Sequence, residues 1–550
     1  MSDLRAYFER KGLTLDPRIT ELRPHQIAAR DWALETRAPY LFINAPTGSG
    51  KTLLLGDIGC HMGLTWTYGV HTIRLQEQVA GTFIGLPVLT GRGNWDCEIG
   101  VETHGRPIKA DVAICTGESY CEYSGPPNEA ADEADLERYA THAMLHDEGK
   151  VALLCGYYEQ RDTATRSPHR VANYAMFLRY ARLRQRGATA ILLADEAHNI
   201  ESAVCSATEF SMMASTYKRF GIRLLPANAD LGRWIEWAKE SLPKVPVPKR
   251  GRSSPDIGAR IIREQLQQIA KMRPSDEGNW IVVEIDNGLK WQAVWGAPYV
   301  MGQLFGHKEP PGLSDYTPGV QRVIMTSATL MGAEFIADML GLPADSWAYY
   351  DMPSTFPPDT RPINYAPVIK MNRDQMATPA GRKPMQDAMD NLIDRYISSE
   401  GKISGVIHAV SNKYRDQILT ESRWRAILTS DVKVHEEKIA RGQSSVVVAA
   451  NLSEGWDGVD ELCRVVIMPK VPYPSLGDER VRRRKDKDSR TFDHAALVAI
   501  VQGAGRGVRH KEDHAETWIL DESWGFLYSK HKGWLPESFR DAYHHKVRLS

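Results

Sequence analysis

The sequence predicts an α/β protein built on parallel sheets, and two observations carry that prediction. Short, mainly apolar runs recur along the chain and end abruptly in small or polar residues: Tyr40–Asn44, Ala190–Ala194, Arg322–Met325, Gly405–His408, Ser445–Ala449 and Arg464–Met468. Runs apolar at successive positions suit strands buried on both faces, as parallel strands are, rather than half-exposed strands that alternate. Helix-length segments separate the runs, as parallel crossovers require. In such sheets ligands bind where loops leave the carboxyl ends of the strands, so the residues after each run are the candidates for chemistry.

Composition excludes several classes without naming a reaction. The chain has 550 residues, 42% of them hydrophobic and 25% charged. That is ordinary globular usage over three or four domain-sized units, not a disordered chain. No apolar stretch is long enough to span a bilayer, and Met1–Arg5 begins no apolar signal core, so a soluble, cytoplasmic protein with no membrane partner is expected. Sixty-eight basic residues against sixty-nine acidic ones leave a net charge of −1, so any nucleic-acid site must be a local patch. Seven cysteines favour buried thiols or a metal site over disulfides.

Three stretches interrupt the alternation. Residues 91–160 hold four of the cysteines and an acidic, Ala-rich segment. Residues 210–313 read as a mainly helical insertion, with Leu231, Trp234, Ile235, Ala238 and Leu242 at helical spacing. Within it, 244–255 is a Pro-rich basic linker, and Trp280–Trp295 reads as a hairpin about Asn287-Gly288. Prolines 353, 357, 358, 362 and 367 mark an interdomain connection.

The first apolar run leads into Ala45-Pro-Thr-Gly-Ser-Gly-Lys-Thr52 and a helical segment, the strand–loop–helix setting of a phosphate loop. Backbone N–H groups of Thr47, Gly48, Ser49 and Gly50 would wrap phosphates, Lys51 would neutralise their charge, and the Thr52 hydroxyl would reach Mg²⁺. Ala45 stands where the short pattern has Gly. The run ending at Ala194 leads into Asp195-Glu-Ala-His198. There Asp195 is placed to hold Mg²⁺, Glu196 to polarise the attacking water, and His198 to pass the nucleotide state onward. Thr326-Ser-Ala-Thr-Leu330 follows the third run, with hydroxyls able to bond the acid pair. In Gln502-Gly-Ala-Gly-Arg-Gly-Val-Arg509, Arg506 and Arg509 share one helical face with Gln502 a turn earlier, a source of positive charge for a γ-phosphate. Leu452–Gly458, with Asp457, follows another buried run where a loop senses the nucleotide. The basic run Arg480–Lys485 reads as a solvated face and is not counted among the sites.

Cys97, Cys115, Cys121 and Cys155 leave gaps of 17, 5 and 33 residues. Four thiolates suit a [4Fe–4S] cluster or a structural Zn²⁺, and the spacing equally allows four unrelated buried thiols. Trp95, Tyr120, Tyr123, Tyr157 and Tyr158 would stack on bases or fill a small core. Cys60, Cys205 and Cys463 read as core residues.

Taken in order, these motifs resemble helicase superfamily 2, and the resemblance narrows to the XPD/DinG-like DNA helicases. The narrowing rests on Asn199-Ile200 after the acid pair, Asn173-Tyr174-Ala175 before it, and Lys470–Ser475 with Asp478 after the sixth run. It implies two RecA-like motor domains closing on ATP and Mg²⁺, with Arg506 and Arg509 as cross-domain arginines. Gln26, in Arg23-Pro-His-Gln26, resembles the residue that reads adenine. Thr72–Gln78 and His408–Ser411 resemble the segments that grip a single strand. The flanks of Cys97 and Cys155 resemble those of the family's cluster ligands, although Gly156 replaces a frequent Pro.

The implied division is 1–90, 161–209 and 314–350 for the first motor domain, with 91–160 a cluster domain and 210–313 an arch-like insertion. Residues 351–550 would form the second motor domain. The implied activity is 5′→3′ translocation on single-stranded DNA and opening of tailed duplexes, by a monomeric motor of compact bacterial or phage type. The competing readings are an RNA helicase, a cluster-free translocase and an ATP-switched recruitment subunit.

Overall fold

The computed structural model describes residues 4–97, 109, 121, 123, 133–148, 154–180, 183, 188–247, 254–306, 319–450, 460–508 and 512–549. Two seven-stranded sheets, parallel throughout, form its frame. From edge to edge the first runs Trp347–Asp351, Tyr40–Asn44, Arg322–Ser327, Ile191–Asp195, Trp66–Val70, His169–Asn173 and Val88–Leu89. The second runs Leu428–Thr429, Ser445–Ala449, Ser404–His408, Val465–Met468, Glu516–Asp521, Ile363–Ile369 and Tyr543–His544. All six apolar runs are strands of these sheets, and their boundaries shift by at most two residues. The α/β class expected from the sequence is the observed one.

Burial on both faces explains why those runs do not alternate. Tyr40 and Phe42 point into one core with Leu192, Ala194, Val323 and Met325. Leu41 and Ile43 point into the opposite core with Ile191, Leu193 and Ile324. The second sheet repeats this, with Val406, Val447 and Val466 on one face and Ile407, Val446, Val448 and Ile467 on the other. Every strand residue therefore removes apolar area from water, worth about 25 cal/mol per Å². The chain crosses from the first sheet to the second between Asp351 and Ile363, where prolines 353, 357, 358 and 362 remove backbone donors a sheet would need.

The insertion after the acid pair is mainly helical, as expected, and adds a third strand to the expected hairpin. Helices Leu231–Ser241 and Ser254–Ala270 pack beside a three-stranded antiparallel sheet ordered Phe210–Met213, Gly288–Ala293, Trp280–Ile285. Trp234, Leu266, Trp280, Leu289 and Trp291 share its core. Phe210–Met213 is too short to carry a strand signature alone; it becomes a strand by pairing with residues nearly eighty positions later. The hairpin turn also sits one residue earlier than expected. Gly288 already pairs with Ile285, so the turn is Asp286-Asn287, with Asn287 in the left-handed region at φ 58°.

Helix Glu479–Lys487 corrects the reading of the basic run as a solvated face. Arg480, Arg483, Arg484 and Lys487, spaced as one helical face, dock on the insertion and on helix Ile200–Thr208. Arg484 reaches Glu201 Oε1 and Oε2 at 2.7 and 2.9 Å, donates to the Val294 carbonyl at 2.5 Å, and lies 5.4 Å from the Trp295 ring centre. Arg480 pairs with Glu209, and Arg483 donates to the Trp280 carbonyl at 3.0 Å. Lys487 lies 5.3 Å from the Trp295 ring centre. Among the described residues no helix is long and apolar enough to cross a membrane.

Candidate functional site

The phosphate loop leaves the Tyr40–Asn44 strand and enters helix Lys51–Met62. Gly48 and Gly50 take φ of 75° and 78°, a left-handed turn that L side chains resist, and this turn aims the helix N-terminus at the loop's concave side. Gln26 lies beneath that turn, buried. Its oxygen accepts from the Arg23 backbone at 2.7 Å, and its amide donates to the Ser49 and Gly50 carbonyls at 3.1 and 3.0 Å. The side chain that resembles an adenine reader is thus engaged in holding the loop, and it does not line the cavity described below.

The acid pair lies at the carboxyl end of the neighbouring strand Ile191–Asp195. Three donors converge on the Asp195 carboxylate. They are Tyr68 OH to Oδ2 at 3.1 Å, Thr326 Oγ1 to Oδ1 at 3.2 Å, and the Glu196 N–H to Oδ1 at 2.9 Å. Burial, with the Glu196 charge adding to it and Lys51 opposing, pushes the Asp195 carboxyl up to about 6. A buried carboxylate so disfavoured as an anion is a fitting seat for a divalent cation, whose charge would stabilise it. Burial acts on Glu196 in the same sense, but Lys51, His198 and the Ser327 hydroxyl outweigh it and hold Glu196 below the usual carboxylate range. Lys51 Nζ stands 3.7 Å from Glu196 Oε1. Glu196 itself is in the left-handed region at φ 47°, a conformation that costs a non-glycine residue about 1–3 kcal/mol and persists where its surroundings over-determine it.

A hydrogen-bonded chain joins the acid pair to the second sheet's domain. Ser327 Oγ donates to Glu196 Oε2 at 3.0 Å, His198 Nδ1 lies 2.8 Å from Ser327 Oγ, and Gln502 Nε2 lies 3.0 Å from His198 Nε2. The chain closes with the His198 proton on Nδ1 and the Gln502 amide donating to Nε2. Gln502 lies in helix Arg490–Ala504, whose C-cap Gly505 approaches the phosphate loop, a Cβ there lying 3.2 Å from Thr47 Oγ1; Arg506 follows the helix end rather than sharing a helical face with Gln502.

One cavity of about 400 Å³ gathers these groups. Its wall carries Thr47, Gly48, Gly50, Lys51, Thr52, Asp195, Glu196 and His198 from the first sheet's domain. Gln502, Gly505 and Arg506 come from the second sheet's domain. Ser49 is buried behind the loop. Asp457 and Arg509 lie outside the described residues. Thr72, Arg74, Leu75 and Gln78 also line this cavity, although their segment resembles a strand-gripping one. His408, of the other such segment, is half-buried; desolvation and then Arg506 push its imidazole down to about 3.

Sequence reasoning missed the two tyrosines beneath Asp195, Tyr68 and Tyr174, whose roles depend on strand adjacency. Tyr174 OH donates to the Asp195 carbonyl at 2.7 Å. Only Tyr174 carried a signal, in the Asn-Tyr segment, and that signal named no role.

Of the four candidate cluster ligands, Cys97, Cys121 and Cys155 are buried, and Cys115 lies outside the described residues. Cys121 and Cys155 share a small core with Tyr123, Tyr157 and Tyr158, so these three rings fill a core; Tyr120 lies outside the described residues. Trp95, two residues before Cys97, packs against this core, and a Cβ at the neighbouring Gly156 would lie 2.7 Å from its ring. Among the described residues no group of three or more His, Cys, Asp or Glu side chains converges as a metal site. The described part therefore brings the cysteine-bearing segments together but does not itself assemble a ligand set. Cys60, Cys205 and Cys463 are core residues, as expected.

Two family models match the chain: DEAD_2 over residues 101–216, and a helicase C-terminal domain over residues 385–542. An ATP-dependent DNA helicase CHL1 of Meyerozyma guilliermondii is 28% identical over 178 residues, 24% of this chain and 21% of the relative. The protein of the same name from Caenorhabditis elegans is 29% identical over 130 residues, 22% of this chain and 15% of the relative. The matched stretch thus spans about a fifth of the curated relatives' length. These relatives are eukaryotic, which gives no support to the expected bacterial or phage type. A solved XPD helicase superposes with a TM-score of 0.57 at 17% identity, covering 94% of this chain and 98% of its own. An XPD structure titled as the apo form gives 0.52 at 16% identity, covering 92% and 97%. The chain therefore carries one segment that matches DEAD_2 and one that matches a helicase C-terminal domain, on a fold shared with a solved XPD helicase.

Proposed function

We propose that the protein is an ATP-dependent DNA helicase that moves 5′→3′ along single-stranded DNA and separates tailed duplexes as a cytoplasmic monomer. The observation that carries this reading is the single cavity walled by the phosphate loop and acid pair on one side and by Gln502 and Arg506 on the other. ATP would lie on the loop, with Lys51 on its β- and γ-phosphates. Thr52 and Asp195 would hold Mg²⁺, which supplies charge neutralisation of the phosphates. Glu196, fixed between Lys51 and Ser327, orients the attacking water and receives its proton. Arg506 and Arg509 meet the charge that develops on the γ-phosphate, Asp457 completes the nucleotide contacts, and Gln26 holds the loop in register. Because Gln502 reaches Glu196 through His198 and Ser327, closure of the two motor domains and orientation of the water are one event. If each domain grips the backbone differently when open and closed, hydrolysis becomes stepping.

A [4Fe–4S] cluster on Cys97, Cys115, Cys121 and Cys155 belongs to the same proposal. It is supported by the burial of three of these thiols and by Trp95 packing against the core that holds Cys121 and Cys155. The division into motor domain, cluster domain, insertion and second motor domain at residues 90, 160, 209, 313 and 350 is proposed with it.

The test is ATP-dependent strand separation of two matched duplexes, one with a 5′ tail and one with a 3′ tail, by protein purified without oxygen. Opening of the 5′-tailed duplex alone is expected. Opening of the 3′-tailed one alone overturns the polarity. If neither opens while single strands stimulate hydrolysis, the translocase or recruitment reading replaces the helicase. Greater stimulation by RNA than by DNA overturns the substrate. Cys97→Ser should lose bound iron and unwinding while keeping some hydrolysis; full iron retention overturns the ligand set.

A further inference from the structure

The Tyr68 hydroxyl donates at 3.1 Å to Oδ2 of Asp195, a side chain assigned to Mg²⁺ under the proposed function. Its ring is fully buried within the Trp66–Val70 strand, adjacent to the strand that ends at Asp195. Tyr174 stands beside it, capped into the next helix by Asn173 and equally buried, and donates to the Asp195 backbone carbonyl at 2.7 Å. That carbonyl belongs to the peptide preceding Glu196, the residue held at φ 47° and ψ 48°. One phenol therefore acts on the Asp195 side chain and the other on the backbone that aims Glu196.

We infer that Tyr68 and Tyr174 are positioning residues of the ATPase site with separate duties, Tyr68 orienting the metal-holding carboxylate and Tyr174 fixing the strained peptide that aims Glu196. A carboxylate has two oxygens and rotates freely about its Cβ–Cγ bond. With Thr326 and the Glu196 N–H on one oxygen and Tyr68 on the other, rotation is stopped. Phenols suit the task because they donate one proton, stay neutral over the working pH range, and close the underside of the site to water. Loss of such an outer partner to a metal ligand commonly costs about 10- to 100-fold in metal affinity. Misplacing a water-orienting group costs turnover instead, on the order of 100-fold for a 1 Å displacement.

The inference rests on Asp195 as a metal ligand, so the experiment includes Asp195→Asn beside Tyr68→Phe and Tyr174→Phe in the full chain. Mn²⁺ affinity in the presence of ADP is read by electron paramagnetic resonance, ADP affinity is read without metal, and the Mg²⁺ dependence and kcat of hydrolysis are read on single-stranded DNA. Tyr68→Phe should weaken Mn²⁺ binding and raise the half-saturating Mg²⁺ by about 10- to 100-fold, with metal-free ADP affinity unchanged. Tyr174→Phe should lower kcat by about 10- to 100-fold with metal affinity unchanged. Thr326→Val removes the side-chain donor from the other carboxylate oxygen, leaving the Glu196 N–H on it, and should weaken Mn²⁺ binding in the same sense as Tyr68→Phe, which keeps the claim testable if the phenylalanine variant does not fold. Asp195→Asn with unaltered Mn²⁺ affinity would sink the metal assignment itself. Loss in Asp195→Asn with normal Mn²⁺ affinity in Tyr68→Phe or Thr326→Val would overturn the inference alone, as would a metal defect in Tyr174→Phe.

Discussion

At the scale of single residues, the proposed nucleotide site makes sharp demands. Lys51→Ala and Glu196→Gln should each abolish DNA-stimulated hydrolysis, measured as phosphate release. Activity above about 1% of the parent would refute the assignment, since transition-state charge stabilisation of this kind is worth 10²–10³ or more. His198→Ala should separate the two halves of the cycle. It leaves Lys51, Asp195 and Glu196 in place but cuts the path to Gln502, so hydrolysis should persist while strand separation falls, as read by comparing the two rates on the same DNA. Buried histidines set a pH dependence. Burial, with Arg170 or His198 adding to it, pushes His169 and His494 down to about 4 from 6.5. Between these values the unfolded chain binds more protons than the folded one, so stability is full above pH 6.5 and falls as the pH drops toward 4. Thermal melting followed across that window should show the fall, and His169→Phe, which keeps a ring against Trp66, should flatten it. The residues whose meeting at one cavity could be read from sequence were those whose placement is local in the chain: Lys51 and Thr52 on their loop, Asp195 and Glu196 at a strand end. Tyr68 could not be named, because its partner lies 127 positions away and only strand order brings them together.

Among secondary-structure elements, helix Glu479–Lys487 shows how charge misleads. A run of five arginines and lysines in six residues reads as solvated when its partners, Glu201 and Glu209, are more than 270 positions distant. The legible clue was the spacing of Arg480, Arg483, Arg484 and Lys487 on one face, the pattern of a helix that docks. The Arg484–Glu201 pair has little exposure on either side, and Glu201 also accepts from the Gly296 N–H at 2.6 Å. Arg484→Ala strands Glu201 and should cost about 3–5 kcal/mol in unfolding free energy; replacing both partners by apolar residues of similar size should recover most of it. A chemical-denaturation cycle over the two single variants and the double variant measures this. The third strand of the insertion's sheet was illegible for a related reason, although the hairpin it joins was read. Phe210–Met213 gains its strand geometry from Gly288–Ala293 and has no autonomous signature.

For the whole molecule, the doubly buried strands made the α/β class plain, while the relation between the two sheets was not written in any local pattern. The order within the first sheet has its own outcome. The phosphate-loop strand Tyr40–Asn44 pairs only with Arg322–Ser327 and Trp347–Asp351. A fragment ending near residue 300 should therefore fail to bind ATP in equilibrium dialysis, although it contains the loop and the acid pair. Binding at full-length affinity would show that the sheet neighbours are dispensable. The same order governs how the protein is made. Nearly 280 residues separate Asn44 from Arg322, so at 5–20 residues per second the loop-bearing strand leaves the ribosome roughly 15–60 s before either neighbour does. Strands Trp66–Val70, His169–Asn173 and Ile191–Asp195 can assemble during that interval, with the Ile191–Asp195 edge left open for the missing centre. The nascent chain thus waits with two unpaired apolar edges, and a translational pause or a holding chaperone acting before residue 327 would raise the yield of active enzyme more than one acting later.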